Sequence, residues 1–151
     1  MDRNAILSGL ISSFQTYSGS DNRETVEKVL KYSGGNDDLS RRADISREVV
    51  LFRLQAGTGV FQINDLKPLE LNQNFEVLTF VEQGDTHSIK EARYDRLLEL
   101  TDQIIDWSIA TEASTINSDV VSLSLVNVGA TQEQNGFLST TLSFQSIITL
   151  Q

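Results

Sequence analysis

The chain has 151 residues, a formal net charge of -9 and 39% hydrophobic residues, which suits one domain with its own core and excludes a disordered chain. It has no cysteine and a single histidine, so disulfide frameworks, thiolate metal sites and cysteine nucleophiles are excluded. The acidic balance argues against a nucleic-acid binder, which needs a basic patch to neutralise phosphates.

Ile6, Leu7, Leu10, Ile11, Phe14 and Tyr17 recur at three- and four-residue steps, predicting a helix from about Asn4 to Tyr17 with one apolar stripe. Asp2 or Asn4 offers a side-chain oxygen to cap its start, and Ser18-Gly19-Ser20 is expected to end it. Between Asp21 and Asp44, Val26, Val29, Leu30 and Tyr32 fit a short helix or a strand; an extended segment is the reading adopted. Ser33-Gly34-Gly35-Asn36-Asp37-Asp38 is a turn cluster, because glycine and asparagine reach positive backbone angles cheaply. It opens a long polar loop in which Arg41, Arg42 and Arg47 are offset by Asp37, Asp38, Asp44 and Glu48.

A strand is predicted from about Glu48 to Gln55, with Val50, Phe52 and Leu54 on one face and Val49 and Leu51 on the other. Ala56-Gly57-Thr58-Gly59 is a turn, and Val60 to Ile63 is expected to pair back as a short strand. Asp65 to Asn74, with the single proline Pro68, reads as a connection. Phe75 to Glu82 is the next strand, and apolar groups on both faces mark it as internal and covered on both sides.

Gly84-Asp85-Thr86-His87-Ser88 precedes a long helix predicted from about Ser88 to Glu112, with Ser88 and Glu91 matching a capping box. Tyr94, Leu97, Leu98, Ile104, Ile105, Trp107 and Ile109 form its expected apolar side. Strands follow from about Asp119 to Val128 and from Gly136 to Leu150, running almost to the last residue, with Gly129 to Gly136 as hairpin loop. Val121, Leu123 and Leu125 are expected on one face of the first. Leu138, Leu142, Phe144, Ile148 and Leu150 are expected on one face of the second. The fold class expected is α+β, a single domain over residues 1–151 with an antiparallel or mixed sheet packed by two main helices and closed by a C-terminal β-hairpin.

Candidates for chemistry are few. Gly57-Thr58-Gly59 lacks the third glycine and the helix start of a phosphate cradle. His87 is expected to be an exposed residue at a helix entry, without a second histidine or cysteine to share a metal. Asn36, Asp37 and Asp38 offer oxygens for calcium or magnesium but lack the alternation of a calcium loop. Asp102 and Asp106 lie one helical turn apart and read as a solvated face or interface rim. Trp107 is either a core residue or an interface anchor. Catalytic residues, cofactors and a resident metal are not expected, and contact outranks catalysis.

The order of elements resembles the tail terminator proteins of long-tailed bacteriophages, the family that includes the lambda tail terminator. The likeness covers an opening helix such as Asn4 to Tyr17, a strand-rich middle, a second helix comparable to Tyr94 to Ala110, and two closing antiparallel strands. Gly136-Phe137-Leu138-Ser139-Thr140-Thr141-Leu142-Ser143-Phe144 and Ile147-Ile148-Thr149 are similar to the family's last strand. The resemblance implies a hexameric ring that caps the tail tube, stops its polymerisation and joins it to the head or neck connector. DNA passes through the centre without specific binding, and an acidic lumen lets it slide. The expected location is the virion, after synthesis in the host cytoplasm. No run approaches the length needed to cross a bilayer, and Met1-Asp2-Arg3-Asn4 lacks the pattern of a secretory signal. Contacts with the tube or a neighbour are expected from two loops: Gly34, Gly35, Asn36, Asp37, Asp38, Arg41 and Arg42 in one, and Gly57, Thr58, Gly59 and Phe61 in the other. The competing readings are another neck or head-completion connector subunit, and a small enzyme or ligand-binding domain with a pocket around His87.

Overall fold

The computed structural model of the chain describes residues 2–32, 47–55, 58–60, 69–134 and 136–150. Its elements are α1 (Arg3–Ser20), β1 (Val29–Lys31), β2 (Glu48–Leu54), β3 (Thr58–Val60), β4 (Leu69–Glu82), α2 (His87–Ala110), α3 (Ala113–Ile116), β5 (Val120–Val128), β6 (Gln132–Gln134) and β7 (Phe137–Leu150). The class is α+β, with three helices and a mixed sheet among the described residues.

The sheet runs β1-β2-β4-β7-β5, with β3 also on β4 and β6 also on β7. Among the described residues only the β1–β2 pairing is parallel. β4 and β7 form its spine and pair along their whole length, from Leu69 opposite Leu150 to Glu82 opposite Phe137. Each spine strand carries two shorter partners end to end on its outer side, β2 and β3 on β4, β5 and β6 on β7.

The alternation of β2 and β4 sorts their side chains as the sequence predicts. Val50, Phe52, Phe75, Val77 and Val81 face the helices and join the main core, while Val49, Leu51, Leu78 and Phe80 form a second buried cluster on the opposite face. The main core is aromatic. Phe14 and Phe52 both pack near Trp107, whose ring stands 6.3 Å from Phe144, and Phe144 stacks on Phe75 at 4.9 Å. Such pairs add about 0.5–1.5 kcal/mol each beyond the area they bury. Trp107 is fully buried, and its indole N–H donates to the Ser13 hydroxyl at 3.0 Å, which satisfies the one polar atom that burial would otherwise strand. It is a core residue.

Several boundaries differ from expectation. α1 is capped by Asp2, which accepts from the amides of Asn4 and Ala5, but it runs through Ser18-Gly19-Ser20 instead of stopping there. The buried Ser18 hydroxyl donates to Gln103 and accepts from the amide of Val26, so tertiary contacts hold the last turn. β4 begins at Leu69, inside the stretch read as a connection. Leu69 to Asn74 pairs with Gln145 to Leu150, and Glu70 to Asn72 also pairs with β3, so backbone bonding outweighs a polar composition. Of the short strand expected at Val60 to Ile63, Val60 alone lies among the described residues; it ends β3, which takes in Thr58 and Gly59 of the expected turn and pairs with β4. α2 starts at His87 with Thr86 as its cap, the Thr86 hydroxyl accepting from Ile89, so the Ser88–Glu91 capping box is not used. The expected hairpin loop contains β6, which pairs with the start of β7 through a turn in which Gly136 takes a φ of 79°, a backbone angle that favours glycine.

Candidate interaction surface

Two polar latches fix α2 against the β1–β2 side of the molecule. In the first, Arg96 of α2 grips Glu48 of β2 at both oxygens, 2.7 and 2.8 Å, with both side chains buried. Glu99 and the carbonyl of Glu24 take further guanidinium donors, and Glu48 also accepts from the amide of Glu27. Burial works against the Arg96 charge, but the hydrogen bonds and attraction of Glu48 outweigh it and hold the guanidinium pKa above its ordinary value. In the second latch, Gln103 donates to Asp21, and Arg23 bridges Asp21 at 2.6 Å and Asp106 at 2.8 Å. The hydrogen bond from Gln103, then that from Arg23, lowers the Asp21 carboxyl below its ordinary value of 3.8. Asp102 and Asp106 are both exposed, as a solvated face would have them, and Asp106 is in addition a latch residue. Both latches pair opposite charges, and the first borders a cavity of about 390 Å³ whose lining includes Glu48, Arg93 and Arg96.

His87 stands at the entry of α2 with its side chain 89% exposed and Nε2 3.5 Å from Glu91. A groove of about 520 Å³ lies beside it, lined by Gln83, Lys90, Glu91, Tyr94, Asp95, Glu133 and Leu138. Water screens the charges of such an open groove. Among the described residues, no group of three His, Cys, Asp or Glu is placed to hold a metal ion, and no helix is long and apolar enough to cross a membrane.

The opposite flank is different in kind. α1 packs on β1 and β2, and α2 on β4, β7 and β5, so the side of α2 away from α1 looks toward β5. Tyr94, Leu98, Ile105 and Ile109 recur there at steps of four and seven and share that side. Tyr94, Leu98 and Ile109 are exposed, Ile109 by 78%, although the sequence pattern places all of them on the buried face. The stripe is wider than the groove it serves: Leu97, Leu100, Ile104 and Trp107 fill the core, and the flanking apolar residues are left outside.

β5 adds to this surface. It is the outer strand beside β7, and its register slips twice, at Val121 and at Val126. Each slip is a β-bulge, which inserts an unpaired residue and re-aims side chains. Val121 and Val126 are 56% and 62% exposed, and Leu125 and Val128 are exposed beside them. The alternation expected for Val121, Leu123 and Leu125 is thereby corrected. Val120 and Leu123 join the core, Val121 does not, and Leu125 sits opposite the buried Phe144 yet remains open.

No family model matches the chain, and no curated protein matches it. Of the residues expected to make contacts, Gly34, Gly35, Asn36, Asp37, Asp38, Arg41, Arg42, Gly57 and Phe61 lie outside the described residues. Thr58 and Gly59 lie in β3, opposite Asn72 and Leu71 of β4. The exposed flank of α2 and β5 was missed because an apolar residue at a core-like spacing reads as core. The signal that could have raised it is the excess of apolar positions on α2, which span more than one helix face can bury.

Proposed function

We propose that the chain is a ring-forming subunit of a long-tailed phage, the tail terminator that caps the tube, halts its growth and joins it to the neck. Its role is contact with other proteins and not catalysis. The observation that carries this reading is the apolar flank of Tyr94, Leu98, Ile109, Val121, Leu125, Val126 and Val128, laid along an outer strand of the sheet. Exposed apolar surface of this kind marks a protein interface, and an unpaired strand edge adds backbone groups for a partner. The family resemblance supplies the identity of the assembly. Two main helices on one face and a closing β5–β7 pair suit that architecture. The partners in this reading are further copies in a hexamer, the tail tube protein and the neck connector. The acidic balance of -9 suits a lumen through which DNA slides.

The test is the solution mass by light scattering over a concentration series, with and without tube protein. A ring of six that forms on the tube and stops its elongation supports the reading. A ring that binds a connector but leaves tube growth unchanged assigns the chain to head completion. A monomer or dimer at every concentration, indifferent to tube protein, sinks it.

A further inference from the structure

We propose that the α2–β5 flank docks one amphipathic helix of a different protein, a helix with an apolar stripe bordered by lysine or arginine; this rests on the reading of the flank as an interface and names the chemistry of its occupant. The stripe has the form that helix packing uses. Tyr94, Leu98, Ile105 and Ile109 recur at steps of four, seven and four on one side of α2, the spacing of a seam that receives a second helix. At 1.5 Å per residue the stripe runs about 22 Å, enough for a partner helix of about 15 residues. Leu125 and Val128 lie opposite Phe144 and Leu142 of β7, so they face the helix side of the sheet, and both are exposed. α2 is the wall of the groove and this part of β5 is its floor.

Charge selects the partner. Glu91, Asp95 and Asp102 are exposed along α2, Glu112 follows its end, and Glu133 lines the same groove as Tyr94. The cations of that groove are Lys90 and His87, and His87 has Glu91 within 3.5 Å. Arg93 lines the cavity on the Glu48 side, Arg96 is buried against Glu48, and no lysine, arginine or histidine follows Arg96 in the chain. The border of the stripe therefore carries an excess of negative charge. Cations on the partner gain attraction at encounter and discrimination once docked.

Two other occupants fit less well. A second copy laid flank to flank brings Asp95 and Asp102 of both chains to one seam, and like charges across an interface select against that partner. A strand added to β5 meets the bulges at Val121 and Val126, which break the regular edge that strand addition needs. A helix beside α2 requires no backbone pairing. It sets its own stripe against Tyr94, Leu98 and Ile109 and its cations against the carboxylates around them.

The probe is a synthetic peptide of about 18 residues, with leucines at helical spacing bordered by lysines, titrated into the full chain by calorimetry. Two control peptides carry glutamate in place of lysine, or the same residues in an order without a stripe. The expected result is one site per chain for the lysine peptide, weakened by salt, and no binding of either control. Leu98→Ser with Ile109→Ser on one chain, and Asp95→Lys with Asp102→Lys on another, should each weaken binding by about tenfold or more. Glu70→Lys, at an exposed position on the opposite face of the sheet, should leave it within about twofold. Each variant is first matched to wild type by circular dichroism. Equal binding by all variants, or equal binding of the reordered peptide, reports attraction to net charge alone and overturns the proposal. Preference for the glutamate peptide, or no binding at all, also overturns it. So does a wild-type dimer in light scattering that Leu98→Ser with Ile109→Ser abolishes, since that assigns the flank to a second copy. The tube assay is scored apart: a ring that halts tube growth while its flank ignores the lysine peptide refutes this site and spares the terminator reading, whereas specific peptide binding without any response to tube protein does the reverse.

Discussion

The α1 side of the molecule and the α2–β5 flank are built from the same kinds of residue and reach opposite ends. On the α1 side, Phe14, Phe52 and Trp107 are buried, and the polar groups beside them close on one another: Ser18 with Gln103, Arg96 with Glu48, Arg23 with Asp21 and Asp106. On the flank, Ile109, Val121 and Val126 project outward and two bulges break the ladder that would have ordered them. The first region has spent its apolar surface on its own stability, and the second has kept it available. The contrast shows that hydrophobicity alone does not locate the core of this chain. The decision is made by which residues a neighbouring element covers.

Substitutions should separate the two regions by size of effect. The largest is expected for Trp107→Ala, which empties the centre of the aromatic core and loses the Ser13 bond. The cost is about 3–5 kcal/mol in chemical denaturation, and a loss below about 1 kcal/mol would mean that the core is not organised around this ring. Next is Glu48→Ala, which leaves a buried guanidinium short of its main partner. A cost of about 3 kcal/mol is expected, the low end for a broken buried pair, because Glu99 and the Glu24 carbonyl remain.

Two glycines of α1 give an internal control. A Cβ on Gly9 would stand 2.3 Å from the carbonyl oxygen of Ile116 in α3, while one on Gly19 meets nothing. Gly9→Ala should cost about 1–3 kcal/mol through forced separation of α1 and α3, and Gly19→Ala should gain about 0.5–1 kcal/mol by lowering the freedom of the unfolded chain. Equal effects of either sign in thermal melts would break the argument.

The Asp21 latch has a pH signature. Its native pKa lies below the unfolded value, so the unfolded state binds the proton more readily. Its contribution is complete above the ordinary carboxylate value of 3.8 and is lost as pH falls through the lowered native value. Asp21→Asn should flatten that part of the acid limb of stability and change nothing near neutrality through titration. The smallest effect on stability belongs to the flank. Val126→Ser should alter unfolding by no more than about 0.5 kcal/mol while weakening any self-association, and a large loss of stability would place Val126 in the core after all.

Much of the fold was legible in the residues. The stripe of Ile6, Leu7, Leu10 and Phe14, the two-faced alternation of β2 and β4, and the long helix before two closing strands all follow from spacing. Spacing reports directly on which side chains share a face. The exposed apolar flank was not legible, since Tyr94, Leu98 and Ile109 carry the same periodic signal as Leu97 and Ile104. The bulges at Val121 and Val126 have no local signature, because a bulge is a mismatch between two strands and one strand cannot display it.

By itself the sequence determined the element types, the sorting of the central strands into two faces, and the partition that leaves residues beyond Arg96 without a basic group. These are properties of neighbours along the chain. The tertiary structure alone decided that α1 keeps its last turn through Ser18, that Trp107 is core, that β4 begins at Leu69, and that the apolar excess of α2 and β5 lies open on one flank. Each of those outcomes depends on a contact between residues far apart in sequence, where packing and backbone pairing outweigh local preference.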